Sequence, residues 1–242
     1  LNTFVAVGLV VGLSVAQVAS GITSIAVVWL VSIALRVWRR FNGGYETEVA
    51  AAPDGLRIRS GMVQTTAETI RPGRVQGVVL VEPLLWRRLG WCRLLVDVAG
   101  PRQRKENRSE AGRLRAVVPV GTRAEAEPLL ETLVPGRPVA ERRAPRGARW
   151  KAPLSYRFLA SGGDDRYVVA SRGRLRRTTT WVPLDKVQSI RTVQGPWQRR
   201  LGLGTVALDT AGRRVRATLE DRSESEVAEL MAALPDQARA AR

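Results

Sequence analysis

Histidine is absent from the 242 residues, and Cys92 is the only cysteine. With no second cysteine an intrachain disulfide is impossible, and without histidine the usual nucleophile–base pairs and the Cys/His zinc sites have no ligands to draw on. A reducing compartment fits that cysteine usage. No glycine-rich phosphate loop of the nucleotide-binding types occurs either. Aromatic residues make up 5% of the chain. Acid is short as well: 22 Asp and Glu stand against 39 Lys and Arg, a net charge of +17. That excess calls for an acidic partner or surface, and charge alone does not choose among anionic lipid, nucleic acid and an acidic protein. Catalysis is the weakest reading of such an inventory; no cofactor and no metal are expected.

What the chain does have is a repeat. Shifted by 112 residues, the run from Gly61 to Gly100 lies on Gly173 to Gly212 without a gap, with 12 of 40 positions identical. An ungapped match of that length marks one supersecondary unit in two copies. Its centre is Arg87-Arg88-Leu89-Gly90, repeated as Arg199-Arg200-Leu201-Gly202, and Gln76/Gln188 and Asp97/Asp209 also coincide.

No charged residue occurs between Leu1 and Leu35. As one helix this run would be about 50 Å long, beyond the roughly 30 Å of a hydrocarbon core, so two spans at Thr3 to Ala19 and Ile22 to Val37 are expected, with one tilted span as the alternative. A secretory signal is the competing reading; it lacks a basic leader. Arg36, Arg39 and Arg40 then place the remainder on the cytoplasmic side of a multi-pass cell-membrane protein. The expected organisation is a transmembrane pair over 1–41, a first domain over 45–134, a basic linker over 135–152, a second domain over 153–235 and a basic tail over 236–242.

Each soluble copy reads as short alternating strands closed by one helix. In the first, strands are expected at Glu46 to Ala52, Leu56 to Ser60, Met62 to Ile70, Val75 to Glu82, Arg93 to Ala99 and Leu114 to Val120. In the second they fall at Leu154 to Ala160, Arg166 to Ser171, Leu175 to Val182, Lys186 to Val193, Thr205 to Thr210 and Arg213 to Leu219. Thr122 with Glu125, and Ser223 with Glu226, have capping-box spacing ahead of apolar helices.

The pattern Gly173-x-Leu175, Trp181-Val182-Pro183-Leu184-Asp185-Lys186-Val187-Gln188-Ser189-Ile190, Gln198-Arg199-Arg200-Leu201-Gly202 and Asp209-Thr210-Ala211-Gly212 resembles the bacterial pleckstrin-homology-like (PH-like) domains of YdbS/YdbT-type membrane proteins. The first copy keeps Gly61, Val75-Gln76 and Arg87-Arg88-Leu89-Gly90 but carries Arg71-Pro72-Gly73 in place of Pro183-Leu184-Asp185. The resemblance implies a bent antiparallel sheet capped by a C-terminal helix in each copy. It also implies an earlier copy and further helices upstream of Leu1. The fold class expected is therefore α+β, a transmembrane helical hairpin followed by two tandem PH-like domains.

The Arg-Arg pairs have two readings. In one, Leu89 and Leu201 anchor the loop and Gly90 and Gly202 allow a positive φ; in the other, an exposed guanidinium offers a fork to phosphate or carboxylate. The candidate anion- or partner-binding residues are Arg87, Arg88, Arg199, Arg200, Arg102, Arg104, Lys105, Arg142 and Arg143. The repeat frame is Gly61, Gln76, Leu89, Gly90, Asp97, Gly100, Gly173, Gln188, Leu201, Gly202, Asp209 and Gly212. The function expected is a membrane-anchored scaffold engaging a protein partner, itself or anionic lipid; a nucleic-acid binder is the alternative and an enzyme the weakest.

Overall fold

The structure is a computed structural model, and it describes residues 28–36, 38, 47–52, 55–60, 66–99, 114–212 and 215–241. Residues 49–58 and 68–242 form one compact unit, and residues 1–48 and 59–67 a second. In the second, residues 28–36 are helical (α1).

Here the reading of the N-terminus needs correction. Among the described residues no helix is long and apolar enough to cross a membrane. The expected transmembrane hairpin, and the multi-pass cell-membrane placement built on it, are therefore not supported; residues 1–27 lie outside the described residues. The fold class changes accordingly, from α+β with a membrane hairpin to a chain that is mostly β-sheet.

The first copy comprises β1 (Glu48–Ala52), β2 (Gly55–Ser60), β3 (Thr66–Ile70), β4 (Val75–Pro83), α2 (Leu84–Arg88), β5 (Trp91–Val98), β6 (Arg115–Thr122) and α3 (Arg123–Leu133). A connector follows with the two-residue strand β7 (Arg142–Arg143) and the single turn α4 (Ala148–Lys151). The second copy comprises β8 (Ala160–Gly163), β9 (Tyr167–Arg172), β10 (Arg176–Pro183), β11 (Val187–Val193), α5 (Pro196–Arg200), β12 (Leu203–Thr210), β13 (Arg216–Ser223) and α6 (Glu224–Ala240). Each copy thus has two groups of three strands and a closing helix. In place of the strand expected at Leu154 to Ala160 stands a helical turn at Tyr156–Phe158.

The sheets do not respect the copies. Their orders are β1-β2-β3, β6-β5-β4-β10-β9-β8-β7 and β11-β12-β13. The middle sheet joins the later strands of the first copy to the earlier strands of the second through β4 and β10, antiparallel with Arg176 opposite Pro83 and Trp181 opposite Val78. A strand in that position has protein on both faces, so it is an apolar run rather than an alternation. Val78 and Leu80 enter one core with Leu94, Val96, Val117 and Leu130, while Val79 and Val81 enter the other with Val168, Val206, Leu208 and Leu219. Burying each such side chain contributes about 1.5–3 kcal/mol, so this one strand stabilises both cores.

Three contacts fix the junction. Trp181 of β10 crosses into the first core, where its indole N–H donates to the Pro138 carbonyl at 3.1 Å. Gly77 sits where a Cβ would come within 2.5 Å of Val215 Cγ1, so only glycine lets β4 pass there without a shift. Asp97, buried on β5, accepts the Val215 N–H across the two copies at 3.2 Å.

The two closing helices are capped by side chains at their starts. Thr122 Oγ1 accepts the Glu125 N–H at 3.3 Å while Glu125 returns a carboxylate to the Thr122 N–H at 2.9 Å. Ser223 Oγ accepts the Glu226 N–H at 3.3 Å. Past Pro235, α6 continues to Ala240, because Ala238 is buried in the second core and holds the last turn down.

Candidate binding surface

The duplicated loop is a short helix between two strands, and each copy exposes a different apolar and basic face there. In the first, Pro83 enters α2 in an extended conformation, and the Leu84 N–H donates to the Leu175 carbonyl at 2.7 Å. Gly90 closes the turn at φ +69°, a left-handed conformation that side chains other than glycine rarely adopt. Leu85 is 71% exposed and Leu89 60%, with Trp91 and Leu175 also exposed. Leu89 therefore does not anchor the loop in the core. Arg93 lies over Trp86, 5.4 Å from the ring centre, and donates to the Pro119 carbonyl.

The two arginines of this loop divide. Arg87 folds back to donate to the Arg174 carbonyl at 2.7 Å, tying α2 to the β9–β10 turn, and its Nε is shielded without a hydrogen-bond partner. Arg88 is exposed. Across the same turn Gly173, at φ +91°, lets the chain reverse where a Cβ would strike the Arg176 carbonyl.

In the second copy the loop is held by a buried amide. Gln198 accepts the Gly195 N–H at 2.9 Å and donates to Thr205 Oγ1 at 2.9 Å and to Asp221 at 2.6 Å. Asp221, buried and at φ +53°, also pairs with Lys151 of α4 at 2.6 Å, so α4 and α5 are bound to one carboxylate. Each carries an exposed tryptophan with an arginine beside it: Trp197 (69% exposed) with Arg200, and Trp150 (73% exposed) with Arg149. Arg199 and Arg200 are exposed, Leu201 half-buried, and Gly202 at φ +61° mirrors Gly90.

The other singled-out residues fall in several places. Arg142 and Arg143 form β7, paired with β8, and the Arg142 carbonyl accepts from the fully buried Arg222 at 2.8 Å. Burial pulls the Arg222 guanidinium below its usual range, and Glu226 counters that pull. Gln76 is buried and Gln188 exposed, so the repeat does not give both one role. Asp209 is flanked by Arg191 at 3.1 Å and Arg216 at 3.0 Å, whereas Asp97 holds an amide. Gly212 packs against Asp97, whose carboxylate would lie 2.2 Å from an added Cβ. Arg102, Arg104, Lys105, Gly61 and Gly100 lie outside the described residues.

Sequence reasoning passed over Trp150, Leu85 and the Trp197–Arg200 pair. Trp86 and Trp197 are out of step in the repeat, and only the turn of each helix shows that both end up beside an arginine. It also passed over two adjoining hollows that share Tyr167, Pro183 and Asp185, of about 260 and 420 Å³. Burial, with Asp185 adding to it, raises the Tyr167 phenol there. Among the described residues no cluster of acids and cysteine could hold a metal ion.

Two groups of three strands with a closing helix, duplicated, and loops that present side chains outward define a tandem PH-like binding module. The family described as Bacterial PH domain matches residues 4–134 and 144–238, and the chain belongs to it. No curated protein matches the chain.

Proposed function

We propose that this protein is a tandem PH-like module that docks on an anionic lipid surface through α2, α4 and α5. The observation that carries the reading is that exposed Leu or Trp and exposed arginine share these short helices: Leu85, Arg88 and Leu89 at α2 with Trp91 just after it, Trp150 with Arg149 on α4, and Trp197 with Arg200 on α5. Apolar and indole side chains favour the boundary between headgroups and acyl chains, while guanidinium groups remain with the phosphates. Near an anionic leaflet each cation adds about 1 kcal/mol, so the +17 chain has more than enough charge to orient on it. The finer resemblance to YdbS/YdbT-type proteins belongs to this reading, as does a scaffold role at the surface.

Vesicle co-sedimentation tests it. The full chain is expected to sediment with phosphatidylserine-containing vesicles more than with pure phosphatidylcholine, and less as salt rises. Trp197→Ser with Leu85→Ser, or Arg88→Gln with Arg200→Gln, should each reduce the phosphatidylserine-dependent part, while Arg143→Gln should not. Equal binding to both vesicle types, or variants indistinguishable from wild type, would refute it; capture of a protein instead by the same loops would move the reading to a protein partner.

A further inference from the structure

The junction between the two copies is a template, used once among the described residues. At that junction the fourth strand of one copy, β4, pairs with the third strand of the next, β10. The repeat supplies a second set of the same two strands: β11 is the counterpart of β4, and β3 the counterpart of β10. Both lie at the ends of their sheets, and among the described residues no strand borders the outer edge of either. We propose that β11 of one molecule pairs with β3 of a second copy of this chain, in the register of the internal junction, giving a head-to-tail array.

The register makes a prediction that the sequence was not obliged to meet. Transferred by the repeat, the pairs Val78–Trp181, Val79–Thr180 and Leu80–Thr179 become Ile190–Thr69, Arg191–Glu68 and Thr192–Ala67. Arg191 is the one charged residue of β11, and Glu68 the one charged residue of β3. They come directly opposite each other, which favours this register and disfavours slips that would separate them. Each already has an ion-pair partner on its own molecule, Arg191 with Asp209 and Glu68 with Arg115. Docking would extend these into a row of alternating sign, Arg115, Glu68, Arg191, Asp209, Arg216.

The edges lack two of the usual protections. Neither strand contains proline or lysine, and in β11 the single irregularity lies at its start, between Val187 and Ser189. Exposed edge strands of this kind pair with other chains. A carboxylate waits at the position that seals the internal junction. Asp97 there accepts the N–H of Val215, just before β13; its duplicate Asp209 has a shielded Oδ1 that lies 3.0 Å from Arg216 Nε outside hydrogen-bond geometry, and by the repeat the amide it would meet is that of Leu114, just before β6 of the incoming copy. Because β11 and β3 are different surfaces, the contact is heterologous, and repeated in one direction it gives an open head-to-tail array.

The test uses the full chain, in a mild non-ionic detergent because residues 1–35 carry no charge. In sedimentation velocity the wild type should form a concentration-dependent series of species. Glu68→Arg or Arg191→Glu should each weaken association about tenfold or more, by setting like charges opposite each other. An equimolar mixture of the two variants should restore it, since each then offers the complementary edge to the other. Independently, Ala67→Cys with Thr192→Cys should give a ladder of multiples on a non-reducing gel, whereas Ala67→Cys with Gln188→Cys, out of register, should give none; this pair decides the matter if the charge variants fail to fold. A single species for the wild type at all concentrations, no rescue on mixing, equal ladders in both cysteine pairs, or a product that stops at two chains would overturn the proposal.

Discussion

Trp181 offers the sharpest check on the shared middle sheet. It belongs to the second copy by sequence, yet is 6% exposed inside the core of the first. An indole of this size buries roughly 150–250 Å², which at about 25 cal/mol per Å² amounts to about 4–6 kcal/mol before any relaxation. Allowing for partial collapse of the cavity, Trp181→Ala should cost about 3–5 kcal/mol. Trp181→Phe keeps most of the packing and loses the hydrogen bond to Pro138, so about 1–2 kcal/mol is expected. Urea denaturation followed by far-ultraviolet circular dichroism measures both. Because the ring plugs one core from a strand whose other face lines the second, the whole transition should shift as one. A loss below about 1 kcal/mol, or a biphasic curve in which the first copy keeps its midpoint, would refute the argument that the cores are coupled through β4 and β10.

Other outcomes follow from single contacts. Thr122→Ala and Ser223→Ala remove the caps of α3 and α6, and each should destabilise by about 1 kcal/mol in the same denaturation experiment. Asp97→Ala leaves the buried Val215 N–H without its acceptor and should cost about 1–3 kcal/mol, whereas Asp209→Ala, which loses ion pairs to half-exposed arginines and an exposed hydrogen bond from Ser189, should cost less than about 1 kcal/mol. Burial, with nearby Glu82 adding to it, pushes the Cys92 thiol above its ordinary value of 9.0. The folded protein then keeps that proton after the unfolded chain has lost it, so this contribution is whole below the ordinary thiol value and fades as pH rises past it. Between about pH 8 and about pH 10 the wild type should therefore lose more stability than Cys92→Ala, and equal slopes would show that the thiol is not shielded.

Local signals in the chain point to local features, and they are found where the physics is local. The turn at Gly173, the positive φ of Gly90 and Gly202, and the side-chain caps at Thr122 and Ser223 each depend on a few consecutive residues, and the sequence around them is enough to locate them. The offset of 112 residues likewise marks the chain as two copies of one unit, because a duplicated pattern of strands and a helix is written in order along it. Hydropathy over residues 1–35 was a less safe guide. It reports the preference of side chains for an apolar phase, and among the described residues no helix is long and apolar enough to cross a membrane.

What only the tertiary structure decided is the use made of identical residues. The run Val78-Val79-Leu80-Val81 shows that β4 is buried on both faces, but not that β10, about 100 residues further on, closes its free edge. Backbone hydrogen bonds carry no residue identity, so a strand's partner is chosen by the surfaces brought beside it and not by its own sequence. The same reason separates Asp97 from Asp209. One repeat position gives two environments: the first carboxylate meets an amide of the neighbouring copy, and the second, with no neighbouring copy beyond it among the described residues, turns to Arg191 and Arg216.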